Sequence, residues 1–135
     1  MSRKLNVLLI DDDATTNFLH KRTLNKTQLT RNIEVAETVQ EALNYWKSPD
    51  YAEQDKPELI FLDLNLPGLT GWDFIDEYKK IESGNNNPPV IFILTASVNY
   101  DDEKKANGIA EIAGFRRKPL TVEMLDEIVK NYFSS

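Results

Sequence analysis

The alternation of apolar and polar residues along the chain predicts five strands, each followed by a helix. Three short runs are almost wholly apolar, which is typical of strands buried on both faces of a sheet: Leu5–Ile10, Leu59–Leu62 and residues 90–94. Ile33 and Val35 alternate with polar neighbours, which predicts another strand. The last predicted strand covers 114–118 and stops at Pro119.

Apolar residues recur at helical spacing between these strands. Asp13 is a predicted N-cap for the first helix, in which Phe18, Leu19 and Leu24 are expected to supply apolar contacts. Further helices are predicted over 38–47, over 71–81 and from a Thr121 cap to about residue 133. Residues 101–107 form a weaker helix prediction because they offer little apolar face, and 48–56 and 83–89 are predicted loops.

This order of elements predicts the fold class. Five strand–helix units imply an α/β fold with a parallel sheet, right-handed crossovers and helices on both faces. A chain of 135 residues without an internal repeat fits one domain covering 1–135. In open sheets of this kind ligands bind beyond the C-terminal ends of the strands, so the residues that follow each strand matter most.

Charged and hydroxyl side chains stand at those strand ends. Asp11 and Asp12 follow the first strand, Asp63 the third, Thr95 the fourth and Lys118 the fifth. Taken alone, Asp63 is equally typical of the start of a turn before a Pro-Gly pair. Together, however, crowded carboxylates repel one another, and Mg²⁺ would remove that repulsion. With a hydroxyl and a lysine beside them, the set suits phosphoryl transfer to Asp63.

Four motifs resemble those of the receiver domains of two-component response regulators, and their order and spacing cover essentially the whole chain. They are Leu8-Leu9-Ile10-Asp11-Asp12-Asp13, Leu59 to Gly68 with Gly71, Leu94-Thr95-Ala96, and Gly114-Phe115-Arg116-Arg117-Lys118-Pro119. No single motif is decisive, but the four together are highly specific. The resemblance implies a flavodoxin-like sheet with strand order 2-1-3-4-5.

The resemblance also implies roles for individual residues. Asp63 would accept a phosphoryl group from a phosphohistidine on a histidine kinase or histidine phosphotransfer protein. Mg²⁺ would be held by four groups: Asp11, Asp12, Asp63 and the backbone carbonyl of Asn65. Thr95 and Lys118 would contact the phosphoryl group.

By the same resemblance, Phe115 would be the aromatic switch that moves with Thr95, and the Lys118–Pro119 bond would be cis. The output face would be formed by the fourth helix, the fifth strand and the last helix. The protein would then be a regulatory phosphoacceptor rather than an enzyme acting on other substrates. It would signal through an unknown downstream target protein.

Other residues favour structural interpretations. His20, the only histidine, is expected to be a partly exposed surface residue, because nothing near it in sequence forms a phosphotransfer site. Trp46 and Trp72 are predicted packing residues. Arg116 stands where the family commonly has an apolar residue, and on an edge strand it is expected to extend to solvent. The connection 108–114 looks longer than usual for the family.

Composition narrows the class of partner. The net charge of -6 argues against non-specific binding to nucleic acid, and the absence of cysteine excludes disulfides and thiolate metal sites. The N-terminal apolar run is too short for a signal sequence or a membrane span, so a cytoplasmic protein without membrane association is expected. Only two residues follow the last predicted helix, so no output domain is expected.

Four alternative functions can be weighed against the residues. A phosphatase with an aspartyl nucleophile would need a second aspartate at position 65, which is Asn65. An EF-hand starting at Asp63 would need glutamate at its twelfth position, which is Phe74. A flavin site would need a phosphate loop where three aspartates stand. A pseudo-receiver that binds partners without phosphorylation remains open, although the complete acidic and lysine set argues against it.

Overall fold

A computed structural model of the chain describes residues 4–47, 56–81 and 88–133. Ten elements alternate in the order β1 (Leu5–Ile10), α1 (Ala14–Thr27), β2 (Thr30–Ala36), α2 (Val39–Lys47), β3 (Leu59–Leu62), α3 (Gly71–Ile81), β4 (Val90–Thr95), α4 (Tyr100–Asn107), β5 (Ile112–Arg117) and α5 (Val122–Tyr132). Most of the two predicted loops, over 48–56 and 83–89, lies outside the described residues. The side chain of Trp46 lies outside them too.

The five strands form one parallel sheet in the order β2-β1-β3-β4-β5, as the family resemblance implies. Successive residues of the three central strands point to opposite faces, so each strand feeds two apolar clusters. In β3, for example, Ile60 and Leu62 join one cluster, while Leu59 and Phe61 join the other. This two-sided burial explains why the central strands are solidly apolar in sequence.

Helices cover both clusters, as predicted. The first cluster lies under α2, α3 and α4, with Phe74, Ile75 and Tyr78 of α3 at its centre. The second lies under α1 and α5 and includes Leu24, Leu125 and Ile128. Among the described residues, no helix is long and apolar enough to cross a membrane.

The predicted packing of α1 is wrong in one respect. Phe18 and Leu19 do not face the core but are 61% and 48% exposed, whereas the inward face of the helix carries Asn17, His20 and Leu24. His20 is therefore a buried residue rather than the expected surface residue. The reason is that both inward polar side chains bond to backbone atoms at the sheet edge.

Two strand boundaries also differ from the sequence expectation. β2 begins at Thr30 and β5 at Ile112, both earlier than the apolar pattern indicates. Because β5 begins early, only residues 108–111 separate it from α4, so the connection is not long. Arg116 is half-exposed, as expected, and its Nη1 pairs with Glu127 Oε1 of α5 at 3.3 Å.

Candidate acidic site at the strand ends

Three carboxylates meet at the C-terminal edge of the sheet, because β1 and β3 are neighbouring parallel strands. Asp11 and Asp63 are buried and Asp12 is exposed. One carboxylate oxygen from each lies within 4.8 Å of the other two. Hard oxygen ligands at this spacing suit a cation such as Mg²⁺, which binds one or two carboxylates and retains waters. The chemistry and burial of this donor set therefore fit the metal that the sequence predicts.

Backbone hydrogen bonds fix Asp63 at the end of β3. Its amide donates to the Ile10 carbonyl at 2.9 Å, and its Oδ1 accepts from the amide of Asn65 at 3.2 Å. A Cβ atom at Gly71 would lie 2.6 Å from the Asp63 carbonyl oxygen, so only glycine lets α3 start this close. Asn65 itself is exposed beside the site.

Lys118, which follows β5, contacts both buried carboxylates. Its Nζ lies 2.5 Å from Asp11 Oδ2 and 3.3 Å from Asp63 Oδ2. The Lys118 amide donates to the Thr95 carbonyl at 2.7 Å, which holds the end of β5 against β4. The bond between Lys118 and Pro119 is cis, as predicted.

Burial and pairing act against each other on these charges. Desolvation raises the pKa of the Asp63 carboxyl, although the Asn65 amide and Lys118 oppose it. Burial alone would lower the pKa of Lys118, but its contacts with Asp11 and Asp63 outweigh that effect and raise it. Lys118 is therefore a firmly charged cation, and Asp63 is a carboxylate whose negative charge lacks full solvation.

The structure also places the remaining predicted residues. Thr95 is buried, and its hydroxyl donates to the Ser97 carbonyl at 3.2 Å. Phe115 on β5 is half-buried and packs against the first cluster. Asp13 caps α1 by accepting from the Thr16 amide, in line with its predicted structural role. The hydrogen bond from the Thr16 hydroxyl, and next the one from the Thr16 amide, lower the pKa of the Asp13 carboxyl. Trp72 packs against the first cluster, as predicted.

Sequence reasoning missed two side chains next to the site. Asn17 Nδ2 donates to the Asp11 carbonyl at 2.9 Å, and His20 Nε2 accepts from the Leu120 amide at 3.3 Å. Both line a small cavity together with Asp11 and Asp63. The available signal was their spacing, since positions 17, 20 and 24 share one helical face.

Comparisons with known proteins agree with this geometry. A family model described as the response regulator receiver domain matches residues 7–130. The aerobic respiration control sensor protein ArcB of Escherichia coli is 31% identical over 97% of this chain, which spans only 15% of that protein. Sporulation initiation phosphotransferase F of Bacillus subtilis is 25% identical, over 93% of this chain and 91% of its own.

Solved structures agree as well. A two-component response regulator from Cytophaga hutchinsonii superposes with a TM-score of 0.83 at 28% identity, covering 96% of this chain and 97% of its own. The matched family region includes every strand end that contributes to the acidic site. The chain therefore belongs to the response regulator receiver domain family.

Proposed function

We propose that this protein is a phosphoacceptor of a two-component phosphorelay, with Asp63 as the accepting residue. The observation that carries the proposal is the placement of Lys118 Nζ 3.3 Å from Asp63 Oδ2, at the edge of a cluster of three carboxylates. A lysine at this distance can neutralise charge on a phosphoryl group bound to Asp63.

The reaction is nucleophilic substitution at phosphorus. An Asp63 carboxylate oxygen forms the new O–P bond while the P–N bond to the donor histidine breaks, and the leaving imidazole takes up a proton from solvent. Incomplete solvation of Asp63 keeps its oxygens reactive, while Lys118 and the Asn65 amide favour the ionised form that attacks. Catalysis here is positioning and charge neutralisation, so the chain promotes only its own phosphorylation and dephosphorylation.

Mg²⁺ would be held by the carboxylates of Asp11, Asp12 and Asp63 and by the backbone carbonyl of Asn65. When bound, the ion offsets the repulsion among these groups and the charge on the phosphoryl oxygens. Asp11 is prepared for this role because its Oδ1 already accepts from the Asp13 amide at 3.0 Å, which fixes the carboxylate plane.

The signal would leave the site through Thr95 and Phe115. The Thr95 hydroxyl, now bonded to the Ser97 carbonyl, would turn to a phosphoryl oxygen. The half-buried Phe115 could then move deeper against the first cluster and change the face formed by α4, β5 and α5. A partner that binds the two forms of this face unequally would read the phosphorylation state.

We propose the phosphoryl donor and the downstream target only as classes of protein. The donor is a histidine kinase or histidine phosphotransfer protein, in keeping with the similarity to a sensor protein and a phosphotransferase. The target is a protein that docks on the face formed by α4, β5 and α5.

Phosphorylation by acetyl phosphate tests the central claim. Intact-mass spectrometry should show one added phosphoryl group with Mg²⁺ and none with EDTA, and peptide mapping should locate it on Asp63. The Asp63→Asn variant should remain unlabelled, whereas the control variant Asp126→Asn, at an exposed acid on α5, should label normally. A folded wild-type protein that takes up no phosphoryl group would favour the pseudo-receiver alternative instead.

Nuclear magnetic resonance tests the output route. Beryllofluoride should shift the amide and aromatic signals of Thr95, Phe115 and residues of α5. Shifts confined to the loops around Asp63 would contradict the proposed route through Phe115.

A further inference from the structure

The inward face of α1 is polar where it passes beneath the acidic site. Asn17 and His20 are three residues apart on one helical face, and their exposed fractions are only 5% and 4%. Asn17 bonds the backbone of Asp11, on one side of the site. His20 bonds the backbone of Leu120, on the other side. One helix therefore holds both chain segments that bring Asp11 and Lys118 together.

The segment from Lys118 to Leu120 is fixed at both ends. At one end the Lys118 amide donates to the Thr95 carbonyl at 2.7 Å. At the other end the Leu120 amide donates to His20 Nε2 at 3.3 Å, and the Leu120 side chain is buried in the second cluster. The Lys118 side chain leaves this segment and reaches Asp11 and Asp63. The position of its Nζ therefore depends on both backbone hydrogen bonds.

The hydrogen bond from Leu120 sets the protonation state of His20. A ring nitrogen that accepts an amide proton cannot carry its own, so His20 is neutral with its proton on Nδ1. Burial, and next the charge of Lys118, lower the pKa of this imidazole, in agreement with a neutral ring. An aliphatic side chain of similar volume would fill the space but would leave the buried Leu120 amide without an acceptor.

We propose that His20 is a positioning residue, which holds the Leu120 amide and so keeps Lys118 Nζ where it meets the phosphoryl group. The inference rests on the proposed phosphorylation of Asp63. His20 touches neither the phosphoryl group nor the metal in this role. It acts through the backbone of the β5–α5 connection.

Three substitutions separate the hydrogen bond from packing. His20→Leu removes the acceptor, and His20→Gln restores one, because the glutamine amide oxygen reaches about as far as Nε2. His20→Asn is also polar but too short to reach Leu120. Leu24→Ala is the control, because Leu24 lies on the same inward face of α1 and contributes only to the second cluster.

The first readout is the maximal rate of Asp63 phosphorylation at saturating acetyl phosphate and Mg²⁺. His20→Leu and His20→Asn should lower it at least about tenfold, because a misplacement of about 1 Å can cost about a hundredfold in rate. His20→Gln should recover most of the wild-type rate, and the folded fraction of Leu24→Ala should react at the wild-type rate. His20→Gln and Leu24→Ala should keep the wild-type Mg²⁺ dissociation constant, because Lys118 stays in place in both.

The second readout needs no phosphorylation. In EDTA, the wild-type protein should show a scalar coupling across the hydrogen bond from the Leu120 amide nitrogen to His20 Nε2. The ¹⁵N signal of the Lys118 ammonium should shift in His20→Leu and His20→Asn and return towards its wild-type position in His20→Gln. If His20→Leu does not fold, the comparison of His20→Gln with His20→Asn still tests whether the hydrogen bond to Leu120 positions Lys118.

The outcomes distinguish the two proposals. Wild-type rates in His20→Leu or His20→Asn would overturn the positioning role, and so would a rate in His20→Gln as low as in His20→Asn. A wild-type protein that is not phosphorylated would overturn the proposed function. In that case the Lys118 ammonium signal still shows whether His20 positions the lysine.

Discussion

Lys118 Nζ lies closer to Asp11 than to Asp63, at 2.5 Å and 3.3 Å from the respective Oδ2 atoms. The lysine is thus held by a carboxylate that the proposed site assigns to the metal. A divalent cation at Asp11 and the ammonium group of Lys118 would compete for the same oxygens. Metal binding would therefore weaken the contact with Asp11 and make the lysine available on the Asp63 side.

Replacing Lys118 by methionine should affect metal binding and phosphorylation in opposite directions. The loss of a competing positive charge is worth at least about 1 kcal/mol, the energy of two unit charges 4 Å apart in bulk water, which is roughly fivefold in the dissociation constant. Lys118→Met should therefore bind Mg²⁺ more tightly by isothermal titration and accept phosphate more slowly. Lys104→Met, at an exposed lysine of α4, is the control. Weaker Mg²⁺ binding by Lys118→Met would contradict the competition.

Mg²⁺ should stabilise the folded protein through the acidic site. A ligand that binds only the folded state at 100 times its dissociation constant adds about 2.7 kcal/mol to the free energy of unfolding. Urea denaturation with Mg²⁺ and with EDTA measures this difference. Asp12→Asn should lose most of it, because one of the three clustered carboxylates is neutralised. Asp126→Asn should keep it, and equal stabilisation of both variants would place the ion elsewhere.

Gly114 of β5 should not tolerate a side chain. A Cβ atom there would lie 2.4 Å and 2.8 Å from two ring atoms of Phe92, which in turn packs edge-on against Tyr132. Gly114→Ala should destabilise the fold by about 1–3 kcal/mol, the usual cost of overpacking a core.

Gly108 provides the matched control for that substitution. Its nearest atoms would be 3.6 Å from a new Cβ, and its φ is -88°. Gly108→Ala should therefore be neutral or stabilising by up to about 1 kcal/mol. Urea denaturation of both variants measures the difference, and equal stability would show that the Phe92 ring moves aside at little cost.

The apolar pattern predicted most of the fold because the central strands are buried on both faces. β1, β3 and β4 are short and almost wholly apolar, which indicates buried strands. Their alternation with helices along the chain implies a parallel sheet. The predicted site residues follow from the same fact, because parallel strands bring Asp11, Asp63, Thr95 and Lys118 to one edge. The apolar pattern was thus sufficient for a parallel sheet with these side chains at one edge, whereas the strand order 2-1-3-4-5 came from the resemblance to the receiver family.

The orientation of α1 could not be predicted in this way. Hydrophobicity favours Phe18 and Leu19 as core residues, yet they are exposed while Asn17 and His20 face inward. Beyond the strand ends, the Asp11 carbonyl and the Leu120 amide take their hydrogen-bond partners from these two polar side chains. The helix therefore turns its polar face inward there. A hydrophobicity scale scores each side chain separately and ignores the hydrogen bonds that the backbone needs, so it could not predict this orientation.

The buried His20 should make the stability of the metal-free protein depend on pH. Its folded-state pKa lies below the ordinary value of 6.5, mainly because burial disfavours the charged ring. The unfolded chain therefore binds the proton first as the pH falls, and stability is lost from about pH 6.5 down through the folded-state pKa. The loss is at most about 1.4 kcal/mol per pH unit for one proton.

Comparison with His20→Gln isolates the contribution of His20 to the pH dependence, because the other charged groups nearby are present in both proteins. Lys118 and Asp11 face the imidazole, and Asp63 lies nearby. Lys118 stays protonated throughout, since its pKa is raised. Asp63, whose pKa is raised, acts in the opposite direction, because the folded state then binds its proton more readily. The free energy of unfolding of wild type minus that of His20→Gln, measured in EDTA by urea denaturation, should be constant above about pH 7 and fall on acidification. A difference that stays constant down to pH 5 would show that His20 takes up its proton as readily in the folded protein as in the unfolded chain, which would contradict the prediction.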